Sequence, residues 1–201
     1  MTNVTAPPKT VLIASTNPGK IREITAILEG VPVSLVTLAS FRDVEEPEET
    51  GETFSANARL KALHYSAATG LPSVADDSGL EIEALDNEPG VQSARWHGSD
   101  YAVKFKVIYE LLREKGLETS PARFVAAVAF ADSGKILFES RGVVAGEIAR
   151  TPAGTHGFGY DPVFYYPPYG RTLAEVDGDE KARVSHRGAA FRAFKDYLLR
   201  G

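Results

Sequence analysis

The chain has 201 residues, of which 43% are hydrophobic and 24% charged, and its formal net charge is -5 at pH 7. This composition is typical of a soluble globular protein with a substantial core. The length fits one domain, 1–201, in which we expect residues 1–8 to form a flexible tail. The negative charge argues against a nucleic-acid partner, which needs a basic face. The lack of cysteine excludes disulfides, zinc–thiolate sites and a cysteine nucleophile.

The sequence also contains no signal for a membrane. No apolar run reaches the length of a membrane-spanning helix, and the N-terminus lacks the basic start and cleavage site of a signal peptide. Together with the lack of cysteine, this predicts a cytoplasmic protein with no membrane partner.

The hydrophobic pattern predicts strands and helices in a mixed α/β order. The predicted strands lie at 9–15, 31–38, 71–75, 80–85, 123–131, 135–138 and 142–149, and the segment 80–85 is either the continuation of 71–75 or its hairpin partner. The predicted helices begin at residues 18, 53, 99 and 188 and end near residues 30, 69, 115 and 199. Asn17 before Pro18, and Ser99, are typical helix caps, and Gly30, Gly70 and Gly116 are typical helix stops. Residues 151–171 are predicted to form a long loop, and loops of that length are usually functional.

The first predicted strand leads into STNPGK, residues 15–20. A tight turn before a helix offers free backbone N–H groups and the positive end of the helix dipole, which bind anions. Lys20 adds a mobile positive charge. The glycine spacing is not that of a Walker A loop, and the stretch taken alone favours an ordinary capped helix with a solvated lysine.

Residues 43–52 contain six acidic side chains and lead into the second helix. Such a run is usually a solvated surface, yet the turn chemistry allows one of these acids to be aimed inward. Lys61 lies two helical turns beyond Phe54 and near the same face, so it can reach the same cleft. The alternative for Lys61 is a surface lysine.

Asp76 and Asp77 follow an apolar strand without a spacer, and Ser78 and Gly79 come next. Adjacent side chains on an extended backbone point to opposite sides. One aspartate can therefore hold a metal or a water while the other is anchored or solvated. Carboxylates at the end of such a strand face the ligand crevice of α/β proteins, where magnesium takes one or two of them plus phosphate oxygens. The alternative is an acidic Asp-Ser-Gly turn.

Two later segments offer groups that suit an aromatic base. GFGYDP, residues 157–162, combines glycines that allow close approach of a ligand with Phe158 and Tyr160, on whose rings a base can stack. The alternative is a turn with core aromatics. KARVSHR, residues 181–187, places Lys181, His186 and Arg187 before the last helix. Their N–H donors match a keto oxygen or a phosphate, and the alternative is a basic helix start.

In this order, the five stretches resemble the inosine triphosphate pyrophosphatase family over nearly the whole chain, from Val11 to the last helix. The motifs that carry the resemblance are STNPGK, EETGETF with NARLKA, ADDSGLEIEAL with PGVQSARW, AGTHGFGYDPVF and EKARVSHRG. The resemblance implies an ITPase-like (Maf/ITPase) fold, in which an elongated mixed sheet is flanked by helices in two lobes with the nucleotide between them. It also implies a Mg²⁺-dependent hydrolase, usually a homodimer, that converts ITP, dITP and XTP to the monophosphate and pyrophosphate.

The resemblance further implies roles for individual residues. Asp77 would be the base toward the attacking water, with Asp76 as its support and Lys61 as a neutraliser of phosphate charge. Glu49 and Asp77 would hold the metal. The implied substrate-binding residues are Ser15, Thr16, Asn17, Pro18, Gly19 and Lys20 at the phosphates, then Ser78, and Phe158, Gly159, Tyr160, Asp161, Lys181, His186 and Arg187 around the purine. Ala56 stands where the family usually has a glutamate, so no role carries over to that position.

The implied donors also predict selectivity. Inosine and xanthosine present a keto oxygen at position 6, which accepts hydrogen bonds, whereas adenine presents an amino group. Donors of Lys181, His186 or Arg187 that face an amino group are left unpaired, which disfavours adenine. The residue that excludes guanine is left open.

Two other functions are alternatives to this interpretation. One is a pyrophosphatase for other modified nucleotides, and the SerHisArg sequence at 185–187 favours purines over that reading. The other is a non-catalytic nucleotide sensor, which would need the base pocket and the phosphate turn but not Glu49 and Asp77.

Overall fold

The structure, a computed structural model, describes residues 9–41 and 43–200. The predicted flexible tail, 1–8, lies outside the described residues. Within these ranges no helix has the length and apolar character needed to cross a membrane.

One sheet of seven strands organises the described residues, in the order β2-β1-β3-β4-β5-β6-β7. The strands are β1 Lys9–Ile13, β2 Val33–Thr37, β3 Ser73–Ile82, β4 Pro121–Asp132, β5 Lys135–Ile148, β6 Phe164–Tyr166 and β7 Arg171–Thr172. β1 pairs parallel with β2 and β3, and all later neighbours pair antiparallel. The predicted mixed α/β fold is therefore confirmed.

Within residues 9–41 and 43–200, five α-helices flank the sheet: α1 Pro18–Ile27, α2 Phe54–Thr69, α3 Tyr101–Glu114, α4 Gly178–Val184 and α5 His186–Arg200. The predicted cap of α1 is confirmed, because the Asn17 side chain accepts from the N–H groups of Gly19 and Lys20 at 2.8 and 3.2 Å. Gly70, with φ of 68°, ends α2 in the left-handed conformation that glycine adopts without strain.

Side chains of β4 alternate between two layers. Val128 and Phe130 face α1 and α5, where Phe191 and Phe194 are fully buried. Ala127 and its odd-numbered neighbours face α2, whose small buried alanines allow the helix to lie close to the sheet. A third cluster covers the far halves of β3 to β5 and includes residues of α3. The sheet is thus covered on both faces near β1, and the long strands continue past that region.

Four sequence predictions need correction, and one helix was missed. The strand predicted at 71–75 continues into the 80–85 segment and the hairpin alternative is wrong, because β4 pairs with every residue of β3 from Ser73 to Ile82 and keeps both aspartates inside the strand. The segments at 135–138 and 142–149 form the single strand β5. The predicted loop 151–171 contains β6 and β7, and α4 was not predicted. The cap of α3 is Asp100 rather than Ser99, because the Asp100 carboxylate accepts from the Ala102 N–H at 2.8 Å.

Candidate active site

The candidate site lies where β1 ends and β3 continues. β1 pairs with β3 only at Ser73 and Val74, and the chain after Ile13 turns away into the Ser15–Lys20 turn. This divergence opens a cavity of about 440 Å³ beside Asp76 and Asp77. The crevice follows the general rule that α/β sheets bind ligands beyond the carboxyl ends of their parallel strands.

Most residues that the sequence singled out line this one cavity. They are Ser15, Thr16, Asn17, Lys20, Glu49, Lys61, Asp76, Asp77, Ser78, Phe158, Gly159, Tyr160, Asp161, Lys181, His186 and Arg187. Pro18 and Gly19 are not in the lining. They form the first turn of α1, and a side chain at Gly19 would meet the Phe158 ring.

Asp76 contacts the cations on one face of β3. Its Oδ2 lies 3.0 Å from Lys20 Nζ and 3.3 Å from Arg187 Nε. Burial raises the pKa of this carboxyl, but the charges of Lys20 and Arg187 outweigh burial, and the net pKa lies well below the ordinary value. The second oxygen, Oδ1, is buried and has no hydrogen-bond partner in the part of the chain that the structure describes. Asp76 is therefore anchored as an anion, with one oxygen left over.

Asp77 contacts α2 on the opposite face of β3. Its Oδ1 lies 3.1 Å from Lys61 Nζ, and its Oδ2 accepts from Asn57 Nδ2 at 3.2 Å. Burial raises the pKa of Asp77, against the opposing effect of Lys61, and the net pKa is above the ordinary value. The two adjacent aspartates point to opposite sides, as predicted, and their protonation equilibria are shifted in opposite directions.

Two acids of the 43–52 segment, Glu46 and Glu49, line the cavity, and Glu49 is the one that contacts its cations. Its Oε1 lies 2.6 Å from Lys61 Nζ and its Oε2 lies 2.8 Å from Arg95 Nη1. Burial raises the pKa of Glu49, but Lys61 and Arg95 outweigh it and the net pKa is lowered. Lys61 thus lies between Glu49 and Asp77 in the cleft, which its helical position allowed, and the alternative of a surface lysine is wrong.

Arg187 and Lys181 form the other end of the cavity, and Glu23 joins them. Glu23 Oε2 lies 2.6 Å from Arg187 Nη1, and its Oε1 lies 2.9 Å from Lys181 Nζ. Lys181 also contacts Asp161 Oδ2 at 2.6 Å, and that oxygen accepts from the Phe158 N–H at 2.8 Å. An unbroken series of ion pairs therefore leads from Lys20, through Asp76 and Arg187, to the loop that carries Phe158.

The aromatic residues of this loop have different surroundings. The half-buried Phe158 ring lies 4.5 Å from Lys181 Nζ and 5.5 Å from the Arg187 guanidinium carbon. The Tyr160 ring is 4% exposed, and its hydroxyl donates to the Ser93 carbonyl at 2.9 Å. Phe158 consequently presents more open surface for stacking than Tyr160 does.

His186 is buried at the base of the cavity. Its ring stacks on Phe124 with centroids 4.8 Å apart and an interplanar angle of 18°. Burial, with the charges of Arg187 and Lys181, lowers the pKa of His186 well below its usual value. The ring is therefore neutral at pH 7, and its buried Nδ1 has no partner among the described residues.

Three residues in this network were missed by sequence reasoning: Glu23, Asn57 and Arg95. Glu23 lies one helical turn after Lys20, and this spacing places both side chains on the same side of α1. Asn57 lies one turn before Lys61, accepts from the Gly51 N–H at 2.7 Å and donates to Asp77. Arg95 lies in the PGVQSARW motif without an assigned role, because its contact with Glu49 spans 46 residues and no local spacing predicts it.

The chain belongs to the Ham1 family, whose model matches residues 11–197. A relative from Geobacter sulfurreducens, named dITP/XTP pyrophosphatase, is 44% identical over 94% of this chain and 96% of its own. A relative of the same name from Thermus thermophilus is 48% identical over 91% of this chain and 88% of its own.

Solved structures agree with this assignment. A HAM1 protein from Coxiella burnetii matches with a TM-score of 0.89 at 38% identity, covering 96% of this chain and all of that one. A nucleoside-triphosphatase described as a dITP/XTP pyrophosphatase, from Mycobacterium abscessus, matches with a TM-score of 0.73 at 42% identity, covering 92% of this chain and 98% of that one.

Proposed function

We propose that this protein hydrolyses non-standard purine nucleoside triphosphates, namely ITP, dITP and XTP, to the monophosphate and pyrophosphate. The observation that carries the proposal is the arrangement of groups along one cavity. Lys20 lies at the turn 15–20, three carboxylates (Glu49, Asp76 and Asp77) lie in the middle, and the N–H donors that suit a keto oxygen lie at the far end. The names of the relatives support the same reaction.

The acidic centre suits a divalent metal. Among the described residues no cluster of three or more His, Cys, Asp or Glu side chains has metal-binding geometry. Magnesium, however, takes only one or two carboxylates when phosphate oxygens complete its shell, and Glu49 and Asp77 supply two. When bound there, the ion would lower the pKa of a water and stabilise charge on the phosphates.

Asp77 is the group best placed to take a proton from the attacking water. Its pKa is raised by burial, and a base is more effective when its pKa lies closer to the working pH. The water oxygen bonds to the α-phosphorus, the bond from that phosphorus to the bridging oxygen breaks, and the water proton passes to Asp77. Lys61 and Lys20 stabilise the negative charge on the departing pyrophosphate.

Arg187, Lys181 and His186 would select the base by donating hydrogen bonds to its keto oxygen. Arg187 directs Nε, Nη1 and Nη2 at Asp76, Glu23 and Ser78, respectively. Because a guanidinium has five N–H donors, two remain for a keto oxygen. An adenine amino group would leave these buried donors unpaired, which costs about 1–3 kcal/mol for each.

The proposal includes Mg²⁺ as the metal, a homodimer as the assembly, and the cytoplasm as the compartment. The two-carboxylate centre supports Mg²⁺, and the lack of cysteine supports a reducing compartment. The family resemblance supports the homodimer.

Product analysis tests the reaction. The purified chain with Mg²⁺ is incubated with ITP, dITP, XTP, GTP and ATP, and pyrophosphate and orthophosphate are assayed separately. We expect pyrophosphate and monophosphate from the first three and little from GTP and ATP. Release of orthophosphate would place the attack at the γ-phosphorus, and tight binding without turnover would indicate a sensor. Turnover only of other modified nucleotides would overturn the purine specificity.

A further inference from the structure

Lys104 is a fully buried cation outside the proposed chemistry. It lies in α3 with a relative exposure of 0%, and within the described residues it forms no ion pair with a carboxylate. Burial of an ammonium group without a counter-ion is unfavourable, and an apolar side chain of similar length would fill the same space. The charge is therefore expected to serve the groups that it contacts.

These groups belong to the segment after the short 3₁₀ helix Gly90–Gln92. Lys104 Nζ donates to the carbonyl of Ser93 at 2.9 Å and to that of Ala94 at 2.7 Å. It also lies 4.5 Å from the ring centre of Tyr101 and 5.6 Å from that of Tyr160. Carbonyls at the end of a helical turn lack intrahelical partners, so Lys104 satisfies two of them at once.

Ser93 and Ala94 are part of the cavity wall. The Ser93 side chain accepts from the Leu80 N–H of β3 at 2.9 Å and donates to the Gly90 carbonyl at 2.6 Å. The Ser93 carbonyl accepts from Lys104 and from the Tyr160 hydroxyl. Lys104 thus contacts this part of the cavity wall on the side away from the cavity, at Ser93, which also bonds to β3 and to Tyr160.

Arg95 is the next residue, and its side chain reaches the acidic centre. Its Nη1 lies 2.8 Å from Glu49 Oε2, while the side chain itself is 49% exposed. A half-exposed arginine has many accessible rotamers, so its contact depends on where its backbone is held. The Ala94 carbonyl, fixed by Lys104, belongs to the peptide unit that leads directly into Arg95.

We propose that Lys104 is a positioning residue that holds the Ser93–Arg95 wall and thereby places Arg95 against Glu49. The inference rests on the proposed function, because Glu49 is one of its two metal-binding carboxylates. Lys104 touches neither substrate nor metal in this scheme, and the proposal predicts that its effect on the reaction passes through Arg95 rather than through Tyr160 or β3, which also contact Ser93.

A double-mutant cycle tests this dependence, with Lys104→Met, Arg95→Gln and the combined variant. Lys106→Met is the matched control, because Lys106 is a largely exposed lysine of the same helix. We expect Lys104→Met to lower kcat/KM about 10–100-fold, in the range seen when partners of a metal ligand are removed. In the Arg95→Gln background the same change is expected to cost less than about threefold. Effects that multiply in the combined variant would overturn the proposal.

Trp96 provides a readout that does not depend on turnover. It is the single tryptophan of the chain and directly follows Arg95, so its emission spectrum in nucleotide-free protein reports on this wall. We expect Lys104→Met to shift that emission and Lys106→Met to leave it unchanged. An unshifted spectrum with unchanged kinetics in folded Lys104→Met would overturn the inference.

Lys104→Arg serves if Lys104→Met does not fold, because it keeps a cation at the carbonyls. Its larger planar head group is expected to move the wall, shift Trp96 emission and lower kcat/KM, again with little further loss in Arg95→Gln. Wild-type kinetics and emission in Lys104→Arg, or losses that multiply, would contradict the proposal. Absence of pyrophosphate release by the unsubstituted chain would instead overturn the proposed function.

Discussion

Glu23 accepts a hydrogen bond from Arg187 at 2.6 Å, although 164 residues separate the two in the chain. The other oxygen of the same carboxylate pairs with Lys181 at 2.9 Å. One side chain of α1 therefore sets the position of both cations that face the proposed base pocket.

Replacing Glu23 tests this arrangement. Glu23→Gln removes the negative charge that forms ion pairs with both Arg187 and Lys181. Because these cations face the proposed base pocket, we expect the preference for dITP over dATP to fall about tenfold, equivalent to about 1.4 kcal/mol. We expect unfolding to become easier by about 1–3 kcal/mol. Competition kinetics and urea denaturation measure the two effects. Glu29→Gln, an exposed acid just beyond α1, is the control, and an unaltered dITP:dATP ratio in Glu23→Gln would count against Glu23.

The adjacent aspartates are expected to respond in opposite ways to amide substitution. Asp77→Asn should lower kcat by about 10²–10⁴-fold while the melting temperature holds or rises, because burial disfavours the ionised form of Asp77. Asp76→Asn should lower the melting temperature, because the folded state favours the anion of Asp76 through Lys20 and Arg187. Thermal unfolding and steady-state kinetics on both variants check this contrast. Normal turnover by Asp77→Asn would show that another group takes the proton.

Glu49 is expected to control the metal requirement. Glu49→Gln removes one of the two carboxylate charges near Lys61, so the Mg²⁺ concentration for half-maximal rate should rise about 10–100-fold. A Mg²⁺ titration at saturating dITP measures the shift. Glu48→Gln, an exposed neighbour in the same segment, should leave the titration unchanged. An identical Mg²⁺ dependence for Glu49→Gln and wild type would remove Glu49 from the metal site.

Gly79 is expected to tolerate no side chain. A Cβ there would lie 2.5 Å from the Gly90 carbonyl oxygen and would also overlap the Ser93 hydroxyl. Gly79→Ala should therefore lower the free energy of unfolding by about 1–3 kcal/mol. Gly178→Ala is the matched control, because among the described residues no atom beyond its chain neighbours and its own helix backbone lies within 4 Å of a Cβ at that position. Chemical denaturation of the two variants should separate them, and equal stabilities would contradict the close packing at Gly79.

His186 gives a pH dependence with a definite sign. Its folded-state pKa lies well below the usual 6.5, owing to burial and the charges of Arg187 and Lys181. As the pH falls below about 6.5 the unfolded chain binds this proton first, so the free energy of unfolding decreases by up to about 1.4 kcal/mol per pH unit. His186→Gln lacks this titration and should show a flatter stability curve between about pH 6.5 and 5, where most carboxylates stay ionised. Parallel curves for the two proteins would show that His186 is not the cause.

Local signals were sufficient for much of the fold. Asn17 and Gly70 mark their helix ends because capping depends on residues within one turn. Asp100 displaced Ser99 as a cap, a choice between adjacent residues that the pattern does not resolve. The pattern left open whether 80–85 continues the strand that reaches residue 75 or turns back on it, and β4, about 50 residues later, settles this because it holds the aspartates in the sheet. Tertiary pairing decided that point.

The site residues could be predicted from the sequence where they lie in recognisable motifs, and the remaining contacts of the site could not. Turn chemistry and helical spacing allowed one acid of 43–52 and Lys61 to face the cleft, and the family motifs singled out Glu49; the structure brings Glu49 and Lys61 to 2.6 Å. Arg95 and Glu23 act on partners far away in the chain. Their roles depend on how the elements pack, which no local pattern encodes.

The early end of β1 has a consequence for self-association. Beyond Val74, β3 has no strand beside it on the β1 side within the described residues, and a later segment bridges to this edge at Glu81, near its end. The part between is an unpaired strand edge, which is a template for aggregation. Here that edge lies inside a cleft. The Ser93 hydroxyl accepts a hydrogen bond from the Leu80 N–H at 2.9 Å. The side chains of Asp76 and Asp77 are buried carboxylates along the same strand. Buried charge of this kind repels an incoming strand, so the opening that admits a small anion with its counter-ions also keeps out a neighbouring chain.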